Sequence, residues 1–129
     1  MADGSAPTRD EASELRVAPV AEIRQDGGAT VVSLTGELDL YNANEVRDAL
    51  LECANGEPER IVVDMSEVRF IDSTALGVLI EARTRLANRR AFLLAAPGLE
   101  TRRALEISGL DRHFAVHDTV DGALAAPVS

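Results

Sequence analysis

Lysine and tryptophan are absent from the 129 residues, cysteine occurs once, and the aromatics are three Phe and one Tyr. With so few rings, a core has to be built from aliphatic side chains. The single Cys53 excludes an internal disulfide and suits a reducing cytosol. It falls on the apolar face of a predicted helix, so it is expected to be buried and inert. No run approaches the roughly 18 apolar residues of a membrane span. The start, "MADGSAPTRDEASELR", also lacks the basic flank and apolar stretch of a secretory signal. These absences predict a cytoplasmic protein with no membrane attachment. All 13 basic residues are arginine, against 22 acidic ones, for a net charge of −9. That balance opposes nucleic acid, whose phosphates demand clustered positive charge, and fits a neutral or basic protein partner. The all-arginine set, beside frequent alanine, reads as the coding bias of a GC-rich genome.

Hydrophobic residues make up 46% of the chain, enough for one compact domain and too few residues for two. Residues 1–17, polar and acidic, are predicted to be a disordered tail, and 18–126 the domain. "VAEIRQ" and "ATVVSLTG" flank "DGG", the signal of an antiparallel hairpin. In "NANEVRDALLECANG", Asn42 and Glu45 form a capping-box pair, and Ala43, Val46, Leu50 and Cys53 recur at helical spacing. "RIVVDM" is a nearly continuous apolar run, as in a central strand covered on at least one face. "STALGVLIEARTRLANR" repeats the helical spacing through Ala75, Leu79, Ala82 and Leu86. "AFLLAA" reads as a strand, "LETRRALEIS" as a helix closed by Gly109, "HFAVH" as a short strand and "TVDGALAA" as a short helix. The order predicts an α/β fold: a small mixed sheet with an N-terminal antiparallel hairpin, βαβ crossovers and helices packed on the sheet.

The stretch "FIDSTALGVLI" runs from a strand into a helix with Asp72, Ser73 and Thr74 in the joint. Asp72 or Ser73 can cap the helix. The same helix start, with unpaired N–H groups and a partial positive charge, would stabilise a phosphate without rearranging the fold. A hydrolytic serine is disfavoured, because the nucleophile elbow needs glycine two residues to either side and Ser73 has Ile71 and Ala75. His113 and His117 show no spacing that points at Ser73. There is no P-loop or dinucleotide glycine pattern, and two scattered histidines with one cysteine make a poor zinc site. No cofactor, metal or catalytic residue is expected.

"SLTGELDLYNANEVRDAL", "RIVVDMSEVRFIDSTALGVLI" and "TRRALEISGLDRHF", in this order over about residues 19 to 125, resemble the STAS domain family and, within it, the single-domain anti-sigma factor antagonists. The resemblance implies a bacterial, non-enzymatic regulator of transcription that works by partner switching. Unphosphorylated, it would bind an anti-sigma factor with serine kinase activity and release the sigma factor. The kinase would end binding by phosphorylating the serine that matches Ser73, with Thr74 a capping hydroxyl or second acceptor, and a PP2C-type phosphatase would reverse the mark. The Asp-Ser-Thr order resembles that of general stress-response antagonists. Partner contacts are expected at Asp39, Tyr41, Asp72, Ser73, Thr74, Leu76 and Gly77, and the protein is expected to be a monomer or weak dimer. Residue 75 is Ala where the family commonly has Gly, and a methyl there is expected to crowd an approaching kinase. That departure favours an alternative, a constitutive STAS scaffold or transporter-associated subunit in which Ser73 is only a cap. A sensor of anionic nucleotides is a further alternative.

Overall fold

The computed structural model describes residues 17–128; the expected acidic tail, but for Val17, lies outside the described residues. The elements follow as β1 (Val20–Asp26), β2 (Ala29–Leu38), α1 (Ala43–Asn55), β3 (Arg60–Ile71), α2 (Ser73–Arg85), β4 (Phe92–Ala95), α3 (Leu99–Ser108), β5 (Ala115–His117) and α4 (Val120–Ala125). Short 3-10 turns at Arg89–Ala91 and Leu110–Arg112 lead into β4 and β5. The five strands lie in the order β1-β2-β3-β4-β5. β1 and β2 are antiparallel, while β2 to β5 are parallel and joined through helices. This is the mixed, hairpin-led sheet that the sequence pattern predicts.

Alternation along the strands divides the core in two. Val32 and Leu34 of β2, Ile61, Val63 and Met65 of β3, and Phe92 and Leu94 of β4 face one side. There they pack with Val46 and Leu50 of α1, Leu76 and Leu79 of α2 and Leu105 of α3. Val31, Val62, Leu93 and Ala95 face the other side, covered by Ala123 of α4. The central strand is therefore covered on both faces over its first half, which explains the unbroken apolar run "IVV".

β3 does not stop at Met65, where the apolar run ends, but continues to Ile71. Its pairing with β2 slips by one residue between Ser33 and Thr35 and again between Gly36 and Glu37. Each slip inserts an extra residue in β3, so burial recurs every third residue, at Met65, Val68 and Ile71. A strand with that spacing carries no period-two signal. Gly36 takes φ 79° beside the second slip, a conformation that costs glycine little.

Two other expectations are corrected. Asn42 does not cap α1 through its side chain; its Oδ1 accepts from the Asp39 amide at 2.9 Å and its Nδ2 donates to the Glu37 carbonyl at 2.8 Å. The side chain is drawn back into the loop, which leaves no oxygen over the helix end. Cys53 is half-buried, not buried. Burial first and the Glu52 charge second push its thiol pKa up, so it stays protonated and poorly nucleophilic.

α1 and α2 are clasped by Arg47, whose Nε donates to both carboxylate oxygens of Glu81 at 2.9 and 3.1 Å. The Arg47 hydrogen bond holds the Glu81 carboxyl below its ordinary pKa. A depressed carboxylate contributes stability that is present above its unfolded pKa and lost as pH falls through the folded one. Thermal melts between neutral pH and pH 3 should therefore show a loss of stability below the ordinary glutamate range that Glu81→Gln reduces.

Candidate functional site

The extra residues in β3 bring its end level with the end of β2, where the Asp72 amide donates to the Leu38 carbonyl at 3.0 Å. The chain then turns into α2 with Asp72 as N-cap. One Asp72 oxygen accepts from the Ala75 amide at 3.0 Å, and the other accepts from the Leu40 amide, also at 3.0 Å. A single carboxylate thus caps the helix and ties it to the β2–α1 loop. The cap belongs to Asp72; the Thr74 side chain is exposed and makes no capping bond.

The loop is bonded within itself as well. Asp39 Oδ1 accepts from the Tyr41 amide at 3.0 Å, Asn42 holds Asp39 and Glu37 as described, and the Asn42 amide donates to the Asp39 carbonyl at 3.2 Å. These bonds present Leu40 at 65% and Tyr41 at 82% exposure. Ordinary folding energetics would bury such side chains, and here the loop holds them outward beside the start of α2. Phe70, on the strand leading into the joint, is also 49% exposed.

Ser73 occupies the first helical position and is exposed. Its amide and that of Thr74 belong to the first turn, which has no preceding carbonyls to bond. A phosphate on Ser73 Oγ would meet this positive helix end and also the Asp72 carboxylate, already engaged by two amides. Of the other residues expected here, Gly77 is exposed, with nothing within 4 Å of the place a Cβ would occupy. Asp39 is partly buried, and its carboxylate shapes the loop. Leu76 is a correction: it is buried at 7% exposure among the core residues, at the margin of the α2 face that carries Ala75, Val78, Leu79 and Ala82 inward.

Two residues past Ser73 the helix has turned by about 200°, which places Ala75 on the buried side. It is 1% exposed and packs in the core, so its methyl faces inward and does not crowd the surface at Ser73. Leu40 and Phe70 were missed in the sequence. The available signal was an apolar residue in "DLYN", where neither strand nor helix exists to bury it.

His117 ends β5, two strand spacings or about 10 Å from β3, which does not assemble a serine–histidine pair at the joint. Among the described residues, no group of three His, Cys, Asp or Glu side chains is placed to hold a metal, and no helix is long and apolar enough to cross a membrane.

A strand–Asp-Ser-Thr–helix joint on a five-stranded sheet led by a hairpin defines a recognisable class. The chain belongs to the STAS domain family, whose model matches residues 20–123. It is 31% identical over 102 residues to the anti-sigma-F factor antagonist RsfB of Mycobacterium tuberculosis, covering 79% of this chain and 84% of that protein. It is 37% identical over 81 residues to the anti-sigma-B factor antagonist of Listeria monocytogenes, covering 61% of this chain and 70% of that one. The crystal structure of an anti-sigma factor antagonist from Mycobacterium paratuberculosis superposes with a TM-score of 0.75 at 32% identity, over 80% of this chain and 88% of the other.

Proposed function

We propose that this protein is an anti-sigma factor antagonist controlled at Ser73. Unphosphorylated, it binds a cytoplasmic anti-sigma factor that is also a serine kinase, and so frees the sigma factor for transcription. The kinase transfers the γ-phosphoryl group of ATP to Ser73 Oγ, ADP leaves, and the modified surface no longer binds. A PP2C-type phosphatase restores the free hydroxyl. Asp39, Tyr41, Asp72, Thr74 and Gly77 share the contact surface with Ser73, and Leu40 joins them.

The observation that carries this reading is the exposed Ser73 hydroxyl at the first position of α2, beside the outward Leu40 and Tyr41 side chains. The apolar pair supplies contact area, and the serine supplies a place where charge can be added at its margin. A phosphate brings about −1.5 to −2 charge at neutral pH, next to Asp72, without requiring the domain to refold.

The test is intact-mass analysis after incubation with ATP and each kinase-type anti-sigma factor of the source organism, with peptide mapping. One phosphate on Ser73 from one kinase supports the proposal; stable binding without phosphate uptake from any of them would refute the switch. The inward methyl of Ala75 removes the reason to prefer a constitutive scaffold. Ala75→Gly is accordingly expected to lower stability by about 1 kcal/mol in denaturant melts, while phosphate uptake at Ser73 proceeds at the wild-type rate.

A further inference from the structure

We propose that the outer edge of β1 pairs with β1 of a second copy, antiparallel about Ile23, to join two sheets into one of ten strands. β1 is an edge strand, and its residues from Ala21 to Asp26 are all exposed. The Gly27–Gly28 turn closes the hairpin on the pair Asp26 and Ala29, which bond to each other in a two-residue hairpin. Alternation then turns the amide and carbonyl groups of Ile23 and Gln25 away from β2 and toward solvent. An edge of this kind is a template for another strand.

The charges on β1 select the occupant and the register. Glu22, Arg24 and Asp26 share one face, where Arg24 lies 3.9 Å from Glu22 and 3.1 Å from Asp26. A two-fold axis at Ile23 sets Glu22 of each copy opposite Arg24 of the other, and Ile23 opposite Ile23. Shifting the axis to Glu22 or Arg24 puts like charges opposite each other, which destabilises a sheet pair. An axis at Gln25 would match Arg24 with Asp26, but it would place Ile23 against the turn residue Gly27 and shorten the ladder. The sequence around Ile23 is therefore self-complementary, which is what a two-fold contact between identical surfaces requires.

On the other face Ile23, 46% exposed, rims an open cleft of about 500 Å³ between β1 and α1. Pairing of the two Ile23 side chains covers apolar surface that the single chain leaves wet. The contact is narrow, under the roughly 1,200 Å² at the lower end of stable complexes, and the charge of −9 on each chain opposes it. The dimer accordingly exchanges with monomer. Its location, at the edge formed by β1, leaves the joint at Ser73 uninvolved.

Sedimentation velocity of the full chain over a hundredfold concentration range tests the pairing. Wild type is expected to shift reversibly from monomer to dimer. Glu22→Arg and Arg24→Glu each place like charges opposite and should leave only monomer, whereas an equimolar mixture of those two variants restores both opposite-charge pairs and should form a heterodimer. Ile23→Pro removes an outward amide that an edge strand can spare, and should abolish association while leaving the melting temperature close to wild type. A wild type that stays monomeric throughout, or a dimer indifferent to these substitutions, overturns the proposal. Kinase binding is measured separately, so either result stands apart from the assignment of Ser73.

Discussion

Ser73→Asp is expected to bind the partner kinase at least tenfold more weakly than wild type, a loss of about 1.4 kcal/mol or more, with an unchanged fold. Ser73→Ala should bind normally and accept no phosphate at that site. The asymmetry follows from where the hydroxyl sits. It lies at an exposed helix start, outside the core, so neither change disturbs packing, and only the aspartate adds charge beside Asp72. A carboxylate carries less charge than phosphate and has a shorter reach, so phosphorylated wild type should bind more weakly still. Titration calorimetry on wild type, both variants and the phosphorylated form gives the order. Wild-type affinity in the Ser73→Asp variant, together with normal phosphate uptake by Ser73→Ala, would eliminate the switch.

The second large effect is expected at Asp72, because one side chain serves two elements. Asp72→Ala removes the α2 cap, worth about 1 kcal/mol, and also the acceptor for the Leu40 amide. Together these should cost about 2 kcal/mol and lower the melting temperature by roughly 10 °C. Asp72→Asn separates the two roles. The Ala75 and Leu40 amides reach different oxygens of Asp72, so an asparagine in the same place keeps an oxygen toward one of them and turns its NH2, which cannot accept, toward the other. This variant should be intermediate in stability. Hydrogen exchange at Leu40 should quicken in the alanine variant, and kinase binding should weaken with it. Wild-type stability and protection in Asp72→Ala would show that the carboxylate ties nothing together.

Much of this was legible in advance where local chemistry and global fold agree. The hairpin was announced by two adjacent glycines between β-prone runs, and α2 by its helical spacing and its polar joint. The family motif singled out Ser73 as the candidate, and it is exposed at the start of α2. What escaped depended on partners distant in sequence. The second half of β3 was hidden because its extra residues against β2 replace period two with period three. Asn42 had the pattern of a cap, yet the closeness of Glu37 and Asp39 gave its side chain competing partners. Ala75 stood both in the apolar helical spacing and as a methyl that would crowd a kinase, and its burial agrees with the first. Leu76 was read as a contact because a motif read as a string does not show which of its residues turn inward. Ser73 is exposed, Ala75 lies about 200° round the helix from it on the buried side, and Leu76 sits at the margin of that side.

If Leu40 and Tyr41 form the proposed contact surface, the hydrogen bonds around them bear on selectivity. A loose loop could adapt its apolar side chains to many surfaces, at an entropic cost for each. Here the backbone from Glu37 to Asn42 is fixed by its own side chains and by Asp72, so the ordering cost of that segment falls in folding and not in association. A surface with one shape favours a partner that already has the complementary one and rejects near relatives that lack it. In a cell holding several related kinases, the stiffness of six residues would help keep parallel signalling pathways from answering one another's signals.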